Sequence, residues 1–512
     1  MNQIGYLIER SAIYYKEKVA LIDDEKSITF EEVNERSNAL ARGLNGLGLK
    51  KGDHVAVLFP NSIDFVLADF ALIKAGLVRV PINARLSESE IEYILEDVEA
   101  KAVIYDNQFE ESINRIYKKS RFLKLTISND SGNKDKITME KIFSDESKDS
   151  FIVETEDADI FQILYTSGTT GKPKGAMINC RSRLVTINNV LVDELDINEE
   201  DCMLHMASLS HGSGSKVLPH FIKGALNVLM KKFSAKHFFS AVEKYKVTNT
   251  FTVPTILDYL VEYKSHEIYD LSSLKTILYS ASPIQNKLLK KSLEFFGPKL
   301  KQVYALTEAP NPVLVLSQKD HLLGIEKESI LASAGKEVLN VQVRIENEKS
   351  EQVKFGEIGE IVIRGENVMT GYWNRPEETR STIKEGWLYT GDLGYKDVNG
   401  YFYIVGRIKD VIISGGYNVY AKEVEDVICQ LEGVREAVIL GIPNDRWGES
   451  VVAFIVIKED MEINEKRIIE HCEKKLADYK KPRNIYFHKE LPKNSNGKID
   501  KNKLKQTILV NN

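Results

Sequence analysis

The segment Tyr165-Thr-Ser-Gly-Thr-Thr-Gly-Lys-Pro-Lys-Gly175 directly follows the apolar run Ile160-Phe-Gln-Ile-Leu164. An apolar run that ends in glycines and hydroxyl residues predicts a buried strand that leads into a tight loop. Glycines let backbone N–H groups approach an anion, and Lys172 and Lys174 add positive charge. The segment therefore predicts a phosphate-binding loop. It is not a Walker A loop, because Gly168 and Gly171 are too close together and Pro173 follows the lysine.

The residues before this loop alternate between strand-like and helix-like patterns. Thr29 and Glu32, and again Ser87 and Glu90, are spaced as capping boxes at the start of helices. Short apolar runs at 54–59, 77–82 and 102–105 read as strands between those helices. This β-α-β-α-β order predicts a largely parallel sheet wrapped by helices. From about residue 334 short strands with glycine-rich turns indicate a different, β-rich architecture.

Composition narrows the function classes. The chain has 512 residues, enough for several packed units, and 43% of them are hydrophobic. Its 69 Lys+Arg and 75 Asp+Glu give a net charge of −6, which disfavours nucleic acid as a partner. The four cysteines are widely spaced, which argues against a disulfide framework and a zinc site. The sequence has no long apolar run and no signal-peptide pattern, so we expect a cytoplasmic protein without a membrane span.

Five later motifs make the phosphate loop more specific. They are YALTE (304–308), YTGDLG (389–394), GRIKD (406–410), SGGYN (414–418) and PKNSNGK (492–498). In sequence and in order, the set resembles the adenylate-forming superfamily, which includes acyl-CoA and aryl-CoA ligases, firefly luciferase and peptide-synthetase adenylation domains. The resemblance implies a large N-terminal domain (1–406) of helix-wrapped, largely parallel sheets with a smaller β-rich part. It also implies a small, mobile α+β C-terminal domain (407–512) with a hinge near Lys409.

The resemblance implies a reaction in two steps. ATP, with Mg²⁺, converts a carboxylic acid to an acyl-adenylate and releases pyrophosphate; a thiol then displaces AMP. The residues that match the ATP-binding positions of the family are Thr166, Ser167, Gly168, Thr169, Thr170, Gly171, Lys172, Lys174, Tyr304, Thr307, Asp392 and Arg407. Within this set Tyr304 would stack on adenine, Thr307 would contact the α-phosphate, and Asp392 and Arg407 would bind the ribose. Glu308 and Thr166 would hold Mg²⁺, and Lys498 would be the main catalytic residue.

The second step would use coenzyme A as co-substrate. After rotation of the C-terminal domain, Gly415 and Gly416 would replace Lys498 at the site and leave room for the pantetheine arm. His211 lies in a segment, Ser208-Leu-Ser-His-Gly-Ser-Gly214, that would gate the acyl pocket or orient the carboxylate. No aspartate stands there to pair with an α-ammonium group, which disfavours amino acids as substrates. The acyl-pocket residues are expected to be His211, Gly212, Ser280, Ala281 and Ala305.

The sequence thus predicts an AMP-forming ligase that activates a fatty or aryl acid and transfers it to coenzyme A. Ala305 stands where the family usually has glycine, but one methyl group does not identify a substrate. Two alternatives remain open at this point: an enzyme that loads the phosphopantetheine of an acyl carrier protein, and a non-catalytic nucleotide-binding protein. A non-catalytic protein is expected to have lost residues that serve catalysis and nucleotide binding. All of the catalytic and nucleotide-binding residues named above are present. The acid and the oligomeric state do not follow from the sequence.

Overall fold

The computed structural model describes residues 2–24, 26–130, 136–166, 172–444, 446–458, 461–493 and 499–511. The helices are α1 (Gln3–Tyr14), α2 (Phe30–Gly46), α3 (Ile63–Lys74), α4 (Glu88–Asp97), α5 (Glu110–Lys119), α6 (Met139–Asp145), α7 (Cys180–Asn189), α8 (Val217–Ile222), α9 (Ala235–Tyr245), α10 (Pro254–Val261), α11 (Asn286–Phe296), α12 (Gln318–Glu326), α13 (Glu328–Leu331), α14 (Pro376–Thr382), α15 (Ala421–Cys429), α16 (Glu465–Glu473) and α17 (Lys501–Asn511).

The strands of the first two sheets are, in chain order, β1 (Val19–Ile22), β2 (Ser27–Thr29), β3 (His54–Phe59), β4 (Val78–Asn83), β5 (Ala102–Tyr105), β6 (Leu125–Ser128), β7 (Ile160–Tyr165), β8 (Gly175–Asn179), β9 (Cys202–His205), β10 (Leu226–Leu229), β11 (Asn249–Thr252), β12 (Thr276–Tyr279), β13 (Leu300–Tyr304), β14 (Leu314–Leu316) and β15 (Lys336–Glu337). The remaining strands are β16 (Val341–Glu346), β17 (Gly359–Gly365), β18 (Gly371–Tyr372), β19 (Ile383–Lys384), β20 (Trp387–Lys396), β21 (Phe402–Arg407), β22 (Val411–Ser414), β23 (Tyr417–Tyr420), β24 (Val434–Asn444), β25 (Gly448–Ile457) and β26 (Asn484–His488).

Four sheets organise these strands. A seven-stranded sheet has the order β18-β8-β7-β4-β3-β5-β6, and a nine-stranded sheet has the order β15-β14-β13-β12-β11-β9-β10-β1-β2. The central strands of both are parallel, as in β3–β4 and β9–β10, which confirms the predicted fold class. Five antiparallel strands, β16, β17, β19, β20 and β21, form the predicted β-rich part. Strands β22 to β26 form a separate sheet near the C-terminus.

Both faces of the seven-stranded sheet are buried. On β3, Val55 and Val57 face the core that contains α2 and α3, whereas Ala56 and Leu58 face the core beneath α4 and α5. A parallel strand that is covered on both sides requires a continuous apolar run, and His54–Phe59 supplies one. The two predicted capping boxes are present at α2 and α4. Strand β7 lies inside this sheet, between β4 and β8, and it ends at Tyr165.

Within the described ranges, no helix has the length and apolar character needed to cross a bilayer.

Candidate active site

A polar cleft lies where the nine-stranded sheet meets the β-rich part. Its volume is about 320 Å³. The residues that line it are Leu306, Glu308, Glu360, Tyr372, Ser381, Thr382, Lys384, Leu388, Tyr389, Thr390, Gly391 and Arg407. Two predicted site residues, Glu308 and Arg407, therefore share one cleft although they are far apart in sequence.

A buried carboxylate has two hydrogen-bond donors, one of which is the cleft residue Arg407. Asp392 on β20 lies opposite Arg407 on β21 in the antiparallel register. The Asp392 Oδ1 atom is 2.8 Å from Arg407 Nε, and its Oδ2 atom accepts a hydrogen bond of 2.6 Å from the Tyr304 hydroxyl. Burial, together with the Asp392 charge, raises the pKa of Tyr304, so its hydroxyl stays a donor. Three predicted nucleotide-binding residues thus form one hydrogen-bonded group.

Glu308 accepts one hydrogen bond at its side chain and one at its backbone. The Tyr372 hydroxyl donates a hydrogen bond of 2.7 Å to Glu308 Oε1, and the Met369 N–H donates one of 2.8 Å to the Glu308 carbonyl. Burial, and then the Glu308 charge, raise the pKa of Tyr372. The Lys174 ammonium lies over the Tyr372 ring, 5.1 Å from its centroid. The Glu308 carboxylate and the Lys174 ammonium thus both contact Tyr372, a residue of the cleft, which fits hard-cation and phosphate binding.

The two ends of the phosphate loop are closed by hydrogen bonds. Thr166 N–H donates to the Lys174 carbonyl at 2.9 Å, and Lys174 N–H donates to Thr166 Oγ1 at 3.2 Å. Lys172 lies over the Tyr93 ring, 5.2 Å from its centroid, and the Tyr93 hydroxyl donates to the Pro173 carbonyl at 3.0 Å. The predicted residues Ser167, Gly168, Thr169, Thr170 and Gly171 lie outside the described residues, and so does Lys498.

The segment that contains His211 is fastened by side-chain hydrogen bonds. The Asn61 amide donates to the carbonyls of His205, Ala207 and Met230 and accepts from the Leu209 N–H. The exposed His211 ring has Nδ1 2.8 Å from Ser210 Oγ. This segment is therefore held from its buried side while His211 faces solvent.

The other predicted acyl-pocket residues lie in three places. A Cβ atom on Gly212 would be 2.8 Å from Cζ of Phe251, so packing alone demands glycine there. Ser280 and Ala281 follow β12, and Ala281 has a φ of 75°. Ala305 packs beside Tyr304 against the core of the β-rich part. Thr307 lies in the bend between β13 and Glu308.

His205, which the sequence places near His211, belongs to the core. It is fully buried, with Nδ1 3.0 Å from Ser213 Oγ and Nε2 2.9 Å from Asn227 Oδ1. Burial lowers the pKa of His205 to about 4, so the ring is neutral near pH 7. Its role is to hold the start of the His211 segment.

The predicted hinge and glycine turn lie beyond the cleft. Lys409 is in a 3₁₀ turn at 408–410, between the last strand of the β-rich part and the C-terminal sheet. Gly415 and Gly416 have φ values of 62° and 84°, which favour glycine. A Cβ on Gly415 would be 3.0 Å from the Trp447 ring, which also carries the Arg483 guanidinium 4.0 Å from its centroid.

Sequence reasoning missed several residues of this region. Tyr372, Thr390, Glu360 and Lys384 line the cleft, and Trp447 lies against the glycine turn. Thr390 lies within the YTGDLG motif, but the sequence alone assigns no role to its side chain. For Tyr372 no spacing rule gives a signal, because its position depends on the pairing of β18 with β8.

Two segments of the chain match known protein families. Residues 8–373 match the AMP-binding enzyme family, and residues 423–498 match the AMP-binding enzyme C-terminal domain. The chain is an AMP-binding enzyme. This membership confirms the resemblance seen in the motifs.

Relatives of this AMP-binding enzyme include proteins named as acid–CoA ligases. The chain is 32% identical over 505 residues to 2-succinylbenzoate–CoA ligase from Bacillus cereus, with 98% of each chain covered. It is 35% identical over 482 residues to feruloyl-CoA synthase from Amycolatopsis sp., with 94% of each covered. A crystal structure of an anthranilate CoA ligase in complex with anthranoyl-AMP superposes with a TM-score of 0.90 at 28% identity, covering 98% of this chain and 96% of that one.

Proposed function

We propose that this AMP-binding enzyme is an ATP-dependent, AMP-forming ligase that joins an aromatic carboxylic acid to coenzyme A. The observation that carries the proposal is that Asp392, Tyr304 and Arg407 form one hydrogen-bonded group, while Arg407 and Glu308 line one cleft and Lys174 lies over the ring of Tyr372, which also lines it. A nucleoside-binding group beside a cation-binding carboxylate and a phosphate-binding lysine fits a nucleoside triphosphate. The named relatives that cover nearly the full chain are acid–CoA ligases.

The reaction proceeds in two displacements. A carboxylate oxygen of the acid attacks the α-phosphorus of ATP, and pyrophosphate leaves. The sulfur of coenzyme A then attacks the acyl carbon, a thioester bond forms, and AMP leaves with the carbon–oxygen bond pair. The first step brings an anion to a polyanion, so positive charge and oriented donors must offset their repulsion.

The residues of the cleft divide this work. Asp392 would accept the ribose hydroxyls, with Arg407 on the same sugar, while the Tyr304 ring lies against adenine. Lys172 and Lys174 would bind the terminal phosphates, and Thr307 the α-phosphate. Lys498 would bridge the acid and the α-phosphate during adenylation.

Mg²⁺ fits this donor set. Glu308 lines the cleft with Oε1 already bonded to Tyr372, so the carboxylate is held as a hard oxygen ligand. Thr166 Oγ1 stands at the mouth of the phosphate loop and would be a second ligand. The metal, when bound, supplies charge neutralisation of the triphosphate.

The thiol step would use the C-terminal domain. We infer a domain boundary near 406/407 and a hinge at Lys409, because β21 ends at Arg407 and the C-terminal sheet begins with β22 at Val411. Rotation there would bring Gly415 and Gly416 to the cleft in place of Lys498. Trp447, with the guanidinium groups of Arg446 and Arg483 against its ring, offers a stacking and cationic surface beside that turn. Such a surface suits the nucleotide end of coenzyme A.

An aromatic acid is the finer part of the proposal. Its support is the acids named for three of the relatives, 2-succinylbenzoate, ferulate and anthranilate, each of which carries an aromatic ring; a fatty acyl-CoA synthetase from Mycobacterium tuberculosis, 30% identical, supports the competing fatty acid. The test is ATP–pyrophosphate exchange over benzoates, hydroxycinnamates, 2-succinylbenzoate and straight-chain fatty acids. Exchange at the highest kcat/KM with an aromatic acid is expected; a clear preference for fatty acids would overturn the aromatic assignment and keep the ligase.

A further inference from the structure

Tyr372 lies between two parts of the proposed nucleotide site that come from distant segments. It belongs to the short strand β18, which pairs with β8 immediately after the phosphate loop, with Tyr372 opposite Ala176. The Trp373 N–H donates to the Gly175 carbonyl at 2.8 Å. The backbone of this segment is therefore fixed to the end of the phosphate loop.

The same segment is fixed to Glu308. Its Met369 N–H donates to the Glu308 carbonyl at 2.8 Å, and the Tyr372 hydroxyl donates to Glu308 Oε1 at 2.7 Å. One face of the Tyr372 ring bears the Lys174 ammonium at 5.1 Å. The side chain is only 7% exposed, and its own N–H donates to Thr379 Oγ1 at 2.9 Å, so the ring has little freedom to move.

We infer that Tyr372 is a positioning residue that orients the Glu308 carboxylate and the Lys174 ammonium relative to each other. Its hydroxyl occupies Oε1 of Glu308 and leaves Oε2 for a cation, while its ring places Lys174 by a cation–π contact. The metal and the terminal phosphates of ATP would then be bound as one unit. This inference rests on the proposed function, because it takes Glu308 as the metal ligand.

The same geometry predicts that the binding of AMP does not depend on Tyr372. AMP lacks the terminal phosphates, and its nucleoside would contact Asp392, Tyr304 and Arg407 instead. Removal of the Tyr372 hydroxyl should therefore weaken metal–ATP binding and spare AMP binding. A residue that only stabilised the fold would affect both ligands together.

The experiment compares Tyr372→Phe with Tyr401→Phe in the full-length protein. Tyr401 makes the same kind of bond, a 2.6 Å hydrogen bond to Asp320 Oδ1, but does not line the cleft. Mn²⁺ serves as a spectroscopic probe: its binding with ATP is followed by electron paramagnetic resonance, and AMP binding by calorimetry. We expect about tenfold weaker Mn²⁺–ATP binding for Tyr372→Phe, the scale of a lost hydrogen bond to a charged group, with AMP binding within about twofold. Tyr401→Phe should change neither.

A double-mutant cycle with Glu308→Gln keeps the inference falsifiable. If Tyr372 acts through Glu308, Tyr372→Phe should have little further effect on Mn²⁺–ATP binding in the Glu308→Gln background. An unchanged constant for Tyr372→Phe, an equal loss for AMP, or the same tenfold loss in both backgrounds would overturn it. These readouts need no acid, so a protein that binds Mn²⁺–ATP but shows no exchange with any acid would contradict the proposed function and not this inference.

Discussion

Replacement of Asp392 by asparagine tests whether this carboxylate binds the nucleoside. The carboxylate is only 5% exposed, and both oxygens have partners: Arg407 Nε at 2.8 Å and the Tyr304 hydroxyl at 2.6 Å. In Asp392→Asn the amide oxygen keeps one donor partner, but the amide NH₂ group then faces the other donor. The shape is preserved while the charge and one acceptor are lost.

The structure sets the size of the effect. Hydrogen bonds to a charged group contribute about 1.5–3 kcal/mol, and neutral ones about 0.5–1.5 kcal/mol. If the ribose hydroxyls are bound by this carboxylate, the change should cost about 2–3 kcal/mol of nucleotide binding, or roughly 30- to 150-fold in Kd. The cost to stability should be smaller, about 1 kcal/mol, because the Arg407 side chain is 46% exposed and its charge is hydrated without the partner.

Calorimetric titration with AMP measures this loss, and thermal unfolding reports on the fold. Asp270→Asn is the matched control, because Asp270 also bonds a cation, Lys246 at 3.0 Å, but at an exposed site away from the cleft. The control should bind AMP as the unaltered protein does. An Asp392→Asn protein that is folded and binds AMP within threefold of the unaltered protein would refute the assignment of Asp392 to the nucleoside.

Three further predictions concern the interior and the role proposed for Lys498. Lys216→Met should lower the free energy of unfolding by about 3–5 kcal/mol, because Glu194 would lose its partner in a fully buried ion pair. Lys246→Met, at an exposed pair, should leave the urea-unfolding midpoint nearly unchanged. Burial lowers the pKa of His205 to about 4 in the folded protein, against 6.5 in the unfolded chain. As the pH falls, the unfolded chain therefore binds the proton first. The contribution of the neutral His205 ring to stability is present above pH 6.5 and is lost as the pH falls to about 4. This contribution is about 3 kcal/mol. In His205→Gln the free energy of unfolding should fall less steeply between pH 6.5 and pH 4. An unchanged slope would contradict this prediction. Lys498→Ala should abolish pyrophosphate release yet largely preserve thioester formation from supplied acyl-adenylate, and equal loss of both would contradict its role in the first step.

The parts of the fold that could be predicted are those with a local physical signal. The capping hydroxyls of Thr29 and Ser87 bond within their own helices, and the run His54–Phe59 needs no distant partner to be read as a buried strand. Motif order was also sufficient to bring Asp392, Arg407 and Tyr304 together in expectation, and the structure joins them by hydrogen bonds.

What could not be predicted depends on contacts between distant segments. Tyr372 acquires its place from a two-residue strand that pairs across the sheet, and Asn61 is bonded to carbonyls about 150 residues away along the chain. The reason for glycine at position 212 is similar, since the Phe251 ring that excludes a side chain there comes from another strand. Ring orientation and loop anchoring of this kind leave no periodic pattern in the sequence.

The proposed reaction makes a thioester from an acid, ATP and coenzyme A. Its test is the stoichiometry of products with the best aromatic acid, with coenzyme A or a holo-carrier protein as acceptor. We expect one AMP and one pyrophosphate for each acyl-CoA, with turnover that depends on both the acid and coenzyme A. Pyrophosphate release that coenzyme A does not accelerate, with thioester formed only on the carrier protein, would contradict it.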